Sequence, residues 1–132
     1  MKLDLGFFGN LVWRWFPESR EAVRGLIKDS LDSAVYDDEF PEAPEQFQYL
    51  MLGVVPLFYD RLGKLDQEPD LVRRFCAFCR EALDRMGPAE LSDFDDYVLD
   101  SVDDPADVRV LRAADPGLVA VVRQRFPHRW PD

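Results

Sequence analysis

The apolar residues between Pro69 and Gly87 recur every three or four positions, and this spacing constrains the fold more than any other feature. It places them on one face of an α-helix, with Arg and Asp residues opposite. Pro69 suits the first turn of such a helix, and Gly87-Pro88 suits its end, with Gly87 as a left-handed C-cap. The apolar positions are Leu71, Val72, Phe75, Cys76, Phe78, Cys79, Ala82, Leu83 and Met86.

The same period continues through most of the chain. Neither an Asn-Gly or Asp-Gly hairpin turn nor a sustained period-two run competes with it. The sequence therefore predicts an all-α fold, a compact bundle of about five to seven helices. Besides the helix at 69–87, we expect helices over 3–16, from Glu18 or Ser19 to the loop at 37, and over 45–65, with a kink or break at Pro56. Three shorter helices should follow, one around 91–102 and one each after Asp104-Pro105 and Asp115-Pro116, whose acids are N-caps.

The second and third of these helices are predicted to supply much of the core together with the helix at 69–87. Their apolar residues recur at helical spacing, so one face of each should be buried. In the second helix these residues are Ala22, Val23, Leu26, Ile27, Leu31, Ala34 and Val35. In the third helix they are Phe47, Leu50, Met51, Val54, Phe58 and Leu62.

The length of 132 residues and the apolar content of 47% predict one folded domain over residues 1–132. Two parts are expected to be irregular: a loop near 37–44, with two prolines and four acids, and a tail from about 127. No uncharged apolar run approaches the roughly 18 residues of a membrane span. The acid at Asp4 does not suit the basic start of a signal peptide, so we expect a cytoplasmic protein.

Negative charge is concentrated in two stretches, residues 29–60 and 87–108, neither of which contains a Lys, Arg or His. The formal net charge of the whole chain is −10. The acids of the first stretch are Asp29, Asp32, Asp37, Asp38, Glu39, Glu42, Glu45 and Asp60. The acids of the second are Glu90, Asp93, Asp95, Asp96, Asp100, Asp103, Asp104 and Asp107.

Such charge argues against nucleic acid and against anionic membranes as partners, since both attract clustered Lys and Arg. A basic protein surface is the natural complement of these stretches. The alternative is that the acids only keep the protein in solution.

No catalytic signature accompanies the charge. Cys76 and Cys79 have redox spacing but lie about two turns into a predicted helix, so we interpret them as buried thiols. A zinc site would need further ligands, and His128, the only histidine, lies in the predicted tail. Gly6 and Gly9 are not followed by the Lys-Ser or Lys-Thr of a phosphate loop. We therefore expect no cofactor.

The second acidic stretch has two interpretations. Asp93, Asp96 and Asp100 fall at three- and four-residue steps, so they share one helix face despite their mutual repulsion. Such a face suits a cationic protein partner, with Tyr97 as an aromatic anchor. Alternatively, the carboxylates hold a divalent metal. The predicted partner-binding residues are Asp37, Asp38, Glu39, Glu42, Glu45, Asp93, Asp96, Tyr97, Asp100, Asp103, Asp104 and Asp107.

The chain resembles the immunity proteins of bacterial polymorphic toxin systems in its size, its helicity and its two groups of acids. The first group is Asp37-Asp38-Glu39 with Glu42 and Glu45, and the second is the acids of 93–107. The resemblance is general and carries no specific motif. It implies an inhibitor that covers the active site or a nearby exosite of a basic nuclease toxin. A DNA mimic, with carboxylates in place of phosphates, is a related possibility.

The leading hypothesis is thus a non-enzymatic acidic binding protein, an immunity or inhibitor protein for a basic toxin or nucleic-acid-binding protein. A metal-binding enzyme or sensor is the second. The third is a structural module that docks through its N-terminal aromatic residues, Phe7, Phe8, Trp13 and Trp15. The oligomeric state, and whether the two acidic stretches share one face, stay open.

Overall fold

A computed structural model of the chain describes residues 4–37, 40 and 42–131, which form helices, turns and loops without a strand. The sixth α-helix runs directly into a π-helical segment, Phe94–Leu99, which is followed by a 3₁₀ turn, Asp100–Val102. The all-α prediction is confirmed, and with α3 and α4 counted as halves of one kinked helix there are seven helical units in these residues. The α-helices are α1 (Gly6–Trp15), α2 (Arg20–Tyr36), α3 (Gln46–Gly53), α4 (Val55–Tyr59), α5 (Pro69–Arg85), α6 (Pro88–Asp93), α7 (Pro105–Ala114) and α8 (Pro116–Arg125).

Helix α5 lies at the centre of the core, and all nine apolar residues predicted for its inner face are buried. It contacts α1, α7 and α8. Phe75 packs between two rings from distant parts of the chain, with its centroid 4.8 Å from that of Phe58 and 6.3 Å from that of Trp130. The sequence pattern therefore identified the helix with the most buried residues in the structure.

Helix α2 is buried less than its sequence predicts. Val23, Leu26 and Ala34 face the core, whereas Leu31 is 47% exposed and Val35 is 81% exposed. The helix contacts α1 and α3, and exposed residues predominate in its last two turns, where only Ala34 is buried. Helical spacing identifies an apolar face, but a face is buried only where another element covers it.

The predicted helix at 45–65 is broken and shorter than expected. Pro56 lies in the first turn of α4, where its missing N–H leaves no helical hydrogen bond unmade. Helix α4 ends at Tyr59, and Leu62, predicted to be buried, is 57% exposed. The chain then turns through a 3₁₀ segment, Leu65–Gln67, in which Leu65 is buried.

Helix α3 packs closely on α1 through Gly53. A Cβ atom at this position would lie 2.5 Å from Val12 Cγ1, so only glycine permits the contact. The carbonyl of Gly53 accepts a 2.6 Å hydrogen bond from the Ser19 hydroxyl, which is buried with it. These contacts fix the junction between α3 and α4 relative to α1 and the start of α2.

The predicted caps of the last two helices are confirmed. Asp104 accepts a 2.9 Å hydrogen bond from the Ala106 N–H, and Asp115 accepts one of 3.1 Å from the Leu118 N–H. The prediction for Gly87 was wrong, because its φ of −100° and ψ of −174° are extended rather than left-handed. The chain straightens there because the next helix begins at once, at Pro88.

The tail returns to the core. Trp130 is fully buried although its φ of +53° is unusual for a residue with a side chain. The Arg112 guanidinium donates 3.3 Å hydrogen bonds to the carbonyls of Trp130 and Pro131. One apolar cluster thus extends from Phe8 in α1 to Trp130.

None of the helices formed by residues 4–37 and 42–131 combines the length and the apolar character that crossing a bilayer requires.

Candidate functional site

The predicted binding residues fall into two groups according to their surroundings. Asp38 and Glu39 lie outside the residues that the structure describes. Asp100, Asp103, Asp104 and Asp107 have partners within the chain. Asp37, Glu42, Glu45, Asp93 and Asp96 form no ion pair with any described residue, and Tyr97 lies beside the last two.

Arg129 of the tail gathers three acids of the second stretch. Its Nε lies 2.7 Å from Asp95 Oδ1, and its Nη1 lies 2.9 Å from Asp100 Oδ1 and 3.7 Å from Asp103 Oδ2. Asp95 and Asp100 are five residues apart, and the π-helical segment, with its i→i+5 hydrogen bonds, lets both meet one guanidinium. His128 Nε2 lies 2.9 Å from Asp95 Oδ2. Asp95, Asp100 and Asp103 thus share one guanidinium charge, and the side chains of Asp100 and Asp103 stay 63% and 48% exposed.

These contacts change the titration of Asp95. Partial burial works against ionisation, but the hydrogen bonds from Arg129 and His128 outweigh it and lower the pKa of the Asp95 carboxyl. For Arg129, burial opposes the charge, and the carboxylates of Asp95 and Asp100 nevertheless raise the pKa of its guanidinium. Asp95 and Arg129 therefore stay ionised at neutral pH, and their ion pair ties the tail to the π-helical segment.

Asp107 and Asp104 have structural roles. Asp107 is 2% exposed and accepts hydrogen bonds from the backbone N–H groups of Gly63 (2.8 Å) and Leu65 (3.1 Å). It holds the turn after α4 against α7, so it cannot also meet a partner, and the expectation that it does is corrected. Asp104 uses its carboxylate to cap α7.

Four acids of the first stretch surround a shallow groove of about 480 Å³ between the second half of α2 and the residues before α3. Among the residues that the structure describes, none forms an ion pair with these four. Gln48 fixes the position of Glu45 through a capping box, in which the Gln48 side chain accepts a 2.8 Å hydrogen bond from the Glu45 N–H. The four acids are Asp29, Asp37, Glu42 and Glu45.

Glu45 also joins this groove to the second acidic stretch. Partial burial raises the pKa of Asp93, and the negative charges of Asp96 and Glu45 raise it further. Beside them, the rings of Phe47 and Tyr97 stack with centroids 5.7 Å apart and so join α3 to the π-helical segment. Both stretches therefore contribute to one surface, here called the acidic face: Asp29, Asp37, Glu42, Glu45, Asp93 and Asp96.

Large apolar side chains border the acidic face. Val35 is 81% exposed, Tyr36 is 90% exposed and Phe40 is 93% exposed. Phe40 lines the groove together with Glu42, and Tyr36 directly precedes Asp37, whereas Val35 lies on the side of α2 that points away from Asp29. Exposed apolar groups with a charged rim are characteristic of protein-binding surfaces.

The other predicted sites do not form comparable surfaces. Burial raises the pKa of Cys76 to about 11 and that of Cys79 well above its usual range, so both are inert thiols. Phe8 is fully buried, and Phe7, Trp13 and Trp15 pack partly against the core. Within residues 4–37, 40 and 42–131, no three Cys, His, Asp or Glu side chains converge as metal ligands do.

Sequence reasoning did not identify Arg129 as the partner of the 95–103 acids. The one available signal was the placement of basic residues next to Trp130 in a tail that contains an obvious core-forming side chain. The chain matches no protein-family model, no curated protein and no solved structure.

Proposed function

We propose that this protein is a non-enzymatic binding domain that recognises a basic protein through its acidic face. The observation that carries the proposal is the meeting of both acidic stretches around Glu45, where six carboxylates lie without an ion pair to any described residue. Mutual repulsion of these groups opposes folding, and a cationic surface would relieve it.

The geometry supports a protein partner over a small ligand. The groove in the acidic face is shallow, the exposed ring of Phe40 lies in its lining, and the exposed Tyr36 directly precedes Asp37. Aromatic anchors within a charged rim bind by burial, while the charges orient and accelerate the encounter. Asp93, Asp96 and Glu45 supply the charge in this proposal, and Tyr36 and Phe40 supply the apolar contact.

The resemblance to immunity proteins supplies the proposed class of partner, a basic toxin that the acidic face covers. A nuclease is the natural form of such a partner, because its substrate-binding surface is itself cationic. We further propose that the protein acts in the cytosol, a location that the two free thiols Cys76 and Cys79 support.

The test compares two variants with the same change of net charge. Asp93→Lys/Asp96→Lys reverses charge in the acidic face, and Asp66→Lys/Asp84→Lys reverses two exposed acids outside it. Full-length wild type and both variants serve as bait in the native host lysate, and the captured protein is then purified for association kinetics. We expect the first variant to slow association about tenfold or more, and the control to bind like wild type.

Equal association rates for the two variants would show that net charge alone, and not this surface, controls binding. Circular dichroism of each variant verifies that the fold is retained. A captured partner that is acidic, or that binds equally well at high salt, would contradict the proposal.

A further inference from the structure

A second groove lies on the side of α2 opposite the acidic face. It runs between α1 and α2, with Glu81 and Arg85 of α5 also in its lining, and its volume is about 1180 Å³. Its α2 residues extend from Arg20 to Asp32, which corresponds to about 18 Å, or three helical turns. At about 100° per residue, they occupy the face of α2 that points away from Asp29 and Ser33.

The floor of this groove is apolar and partly open to water. Leu31, near one end of the groove, is 47% exposed, although it lies on the same face of α2 as Ile27, the other apolar residue that this helix contributes to the lining. An apolar strip of this length bordered by charged side chains is typical of a docking surface. The apolar residues of the lining are Leu5, Phe7, Leu11, Trp13, Ile27 and Leu31.

The rim carries the opposite charge to the rest of the molecule. Five of the lining residues are cations and three are acids, in a chain whose net charge is −10. We call this surface the cationic groove. Its cations are Arg14, Arg20, Arg24, Lys28 and Arg85.

Two of these cations are available to a partner. The nearest carboxylate to Arg24 is that of Glu21, at 3.7 Å, and both side chains are more than half exposed. Arg85 forms no ion pair with any residue in the described part of the chain. By contrast, Arg14 pairs with Glu81 at 2.6 Å, which links α1 to α5 and fixes one wall of the groove.

Trp13 organises the opposite wall. The guanidinium carbons of Arg20 and Arg24 lie 5.1 Å and 5.2 Å from the centroid of its ring. Arg20 Nε also donates a 2.9 Å hydrogen bond to the Trp13 carbonyl. The ring thus positions cationic groups above an apolar floor before any partner arrives.

We propose that the cationic groove binds an acidic amphipathic α-helix of about three turns, contributed by a partner protein. The apolar face of that helix lies on the floor, and its flanking carboxylates meet Arg24 on one side and Arg85 on the other. Small-molecule sites are usually about 300–1,000 Å³ and enclose their ligand, whereas this groove is larger and open along one side. The inference does not depend on the acidic face, which binds the opposite charge.

The test uses a synthetic peptide of about 15 residues, with Leu at helical spacing and Glu on both flanks. A matched peptide has Lys in place of every Glu. Calorimetry with the full chain measures affinity and stoichiometry for wild type, Arg24→Glu/Arg85→Glu and the control Lys64→Glu/Arg109→Glu, whose two cations are exposed and lie outside the groove.

We expect the Glu peptide to bind one to one, the Lys peptide to bind at least about tenfold more weakly, and only the groove variant to lose affinity. Asp93→Lys/Asp96→Lys should leave peptide binding intact, which separates this inference from the proposed function. Equal binding of both peptides, or no binding, overturns it. So does displacement of the peptide by monomeric laurate, which would assign the groove to a small amphiphile. Concentration-dependent self-association that Arg24→Glu/Arg85→Glu abolishes would instead assign it to a second copy of the chain.

Discussion

Asp93 lies where its environment opposes its charge. Partial burial raises its pKa, and the charges of Asp96 and Glu45 raise it further. Because the pKa is higher in the folded than in the unfolded state, ionisation of this carboxyl destabilises the fold. The penalty is complete above the folded pKa and absent below the unfolded pKa. A residue placed at this disadvantage is consistent with a surface selected for binding.

Replacing Asp93 with Asn should therefore stabilise the protein. At neutral pH, we expect the free energy of unfolding to rise by about 0.5 kcal/mol, and the gain to disappear below about pH 3. Urea denaturation at the two pH values measures the difference. Asp66→Asn is the control, since Asp66 is exposed and outside the acidic face, and it should change little. A loss of stability in Asp93→Asn at neutral pH would contradict this account.

Two glycines test packing against helix propensity. A Cβ at Gly53 would meet Val12, whereas a Cβ at Gly25 in α2 would meet no atom within 4 Å. We expect Gly53→Ala to lower the free energy of unfolding by about 1–3 kcal/mol. Gly25→Ala should raise it by about 0.5–1 kcal/mol, since alanine favours the helix. Thermal denaturation of the two variants measures both changes, and equal shifts would contradict the close packing of α1 on α3.

The tail and the π-helical segment form a unit larger than a residue. Arg129 is 14% exposed at the side chain and pairs with Asp95 and Asp100, while Trp130 is buried against Phe75. Nothing local favours this arrangement, because residues 127–131 lie outside any helix and Trp130 has a positive φ. Tertiary contacts therefore hold the tail in place.

Replacing Arg129 with Ala should detach part of this unit. We expect the free energy of unfolding to fall by about 1–2 kcal/mol at neutral pH. Since the folded pKa of Asp95 is lowered, its contribution is present above the unfolded pKa and fades as the pH falls through the folded pKa. The difference between wild type and variant should therefore shrink as the pH falls below the ordinary Asp pKa of about 3.9. Urea denaturation of both proteins measures it.

Arg109→Ala is the matched control, because Arg109 is exposed and lies outside the Asp95 cluster. Its effect on stability should be small and independent of pH. A difference for Arg129→Ala that stays constant into acid would show that its carbon chain, rather than its charge, holds the tail.

On the scale of the whole molecule, charge is sorted around α2. The acidic face lies on one side of this helix and the cationic groove on the other. Net repulsion at −10 opposes the compact state, and salt weakens that repulsion. Between about 0.01 M and 0.15 M salt, the Debye length falls from about 30 Å to about 8 Å, less than the size of the molecule.

We expect Tm to rise by a few degrees over this range of salt. Asp93→Lys/Asp96→Lys lowers the net negative charge, so its Tm should rise less. Scanning calorimetry with sodium chloride measures both. A fall in Tm on adding salt would mean that ion pairs such as Arg74 with Glu18 and Asp70 outweigh the repulsion.

Helix α5, the caps at Asp104 and Asp115 and the break near Pro56 could all be predicted from the sequence. Each depends on residues within a few positions of one another, and so on local periodicity or backbone chemistry. The extended Gly87 and the exposed Leu31 were not predictable in this way. Gly87 is extended because α6 begins at the next residue, and Leu31 is exposed because no described element covers that part of α2.

The clustering of acids along the chain was determined by sequence alone, and with it the negative charge of the two stretches. Which acids remain available was decided only by the tertiary structure. Asp107 is buried and accepts a backbone hydrogen bond from the turn after α4. Asp100 pairs with Arg129, which is 29 residues away in sequence. Asp93 and Glu45 came together from different stretches. Charge is a property of the residue, but whether it is neutralised depends on which distant groups the fold places within a few ångströms of it.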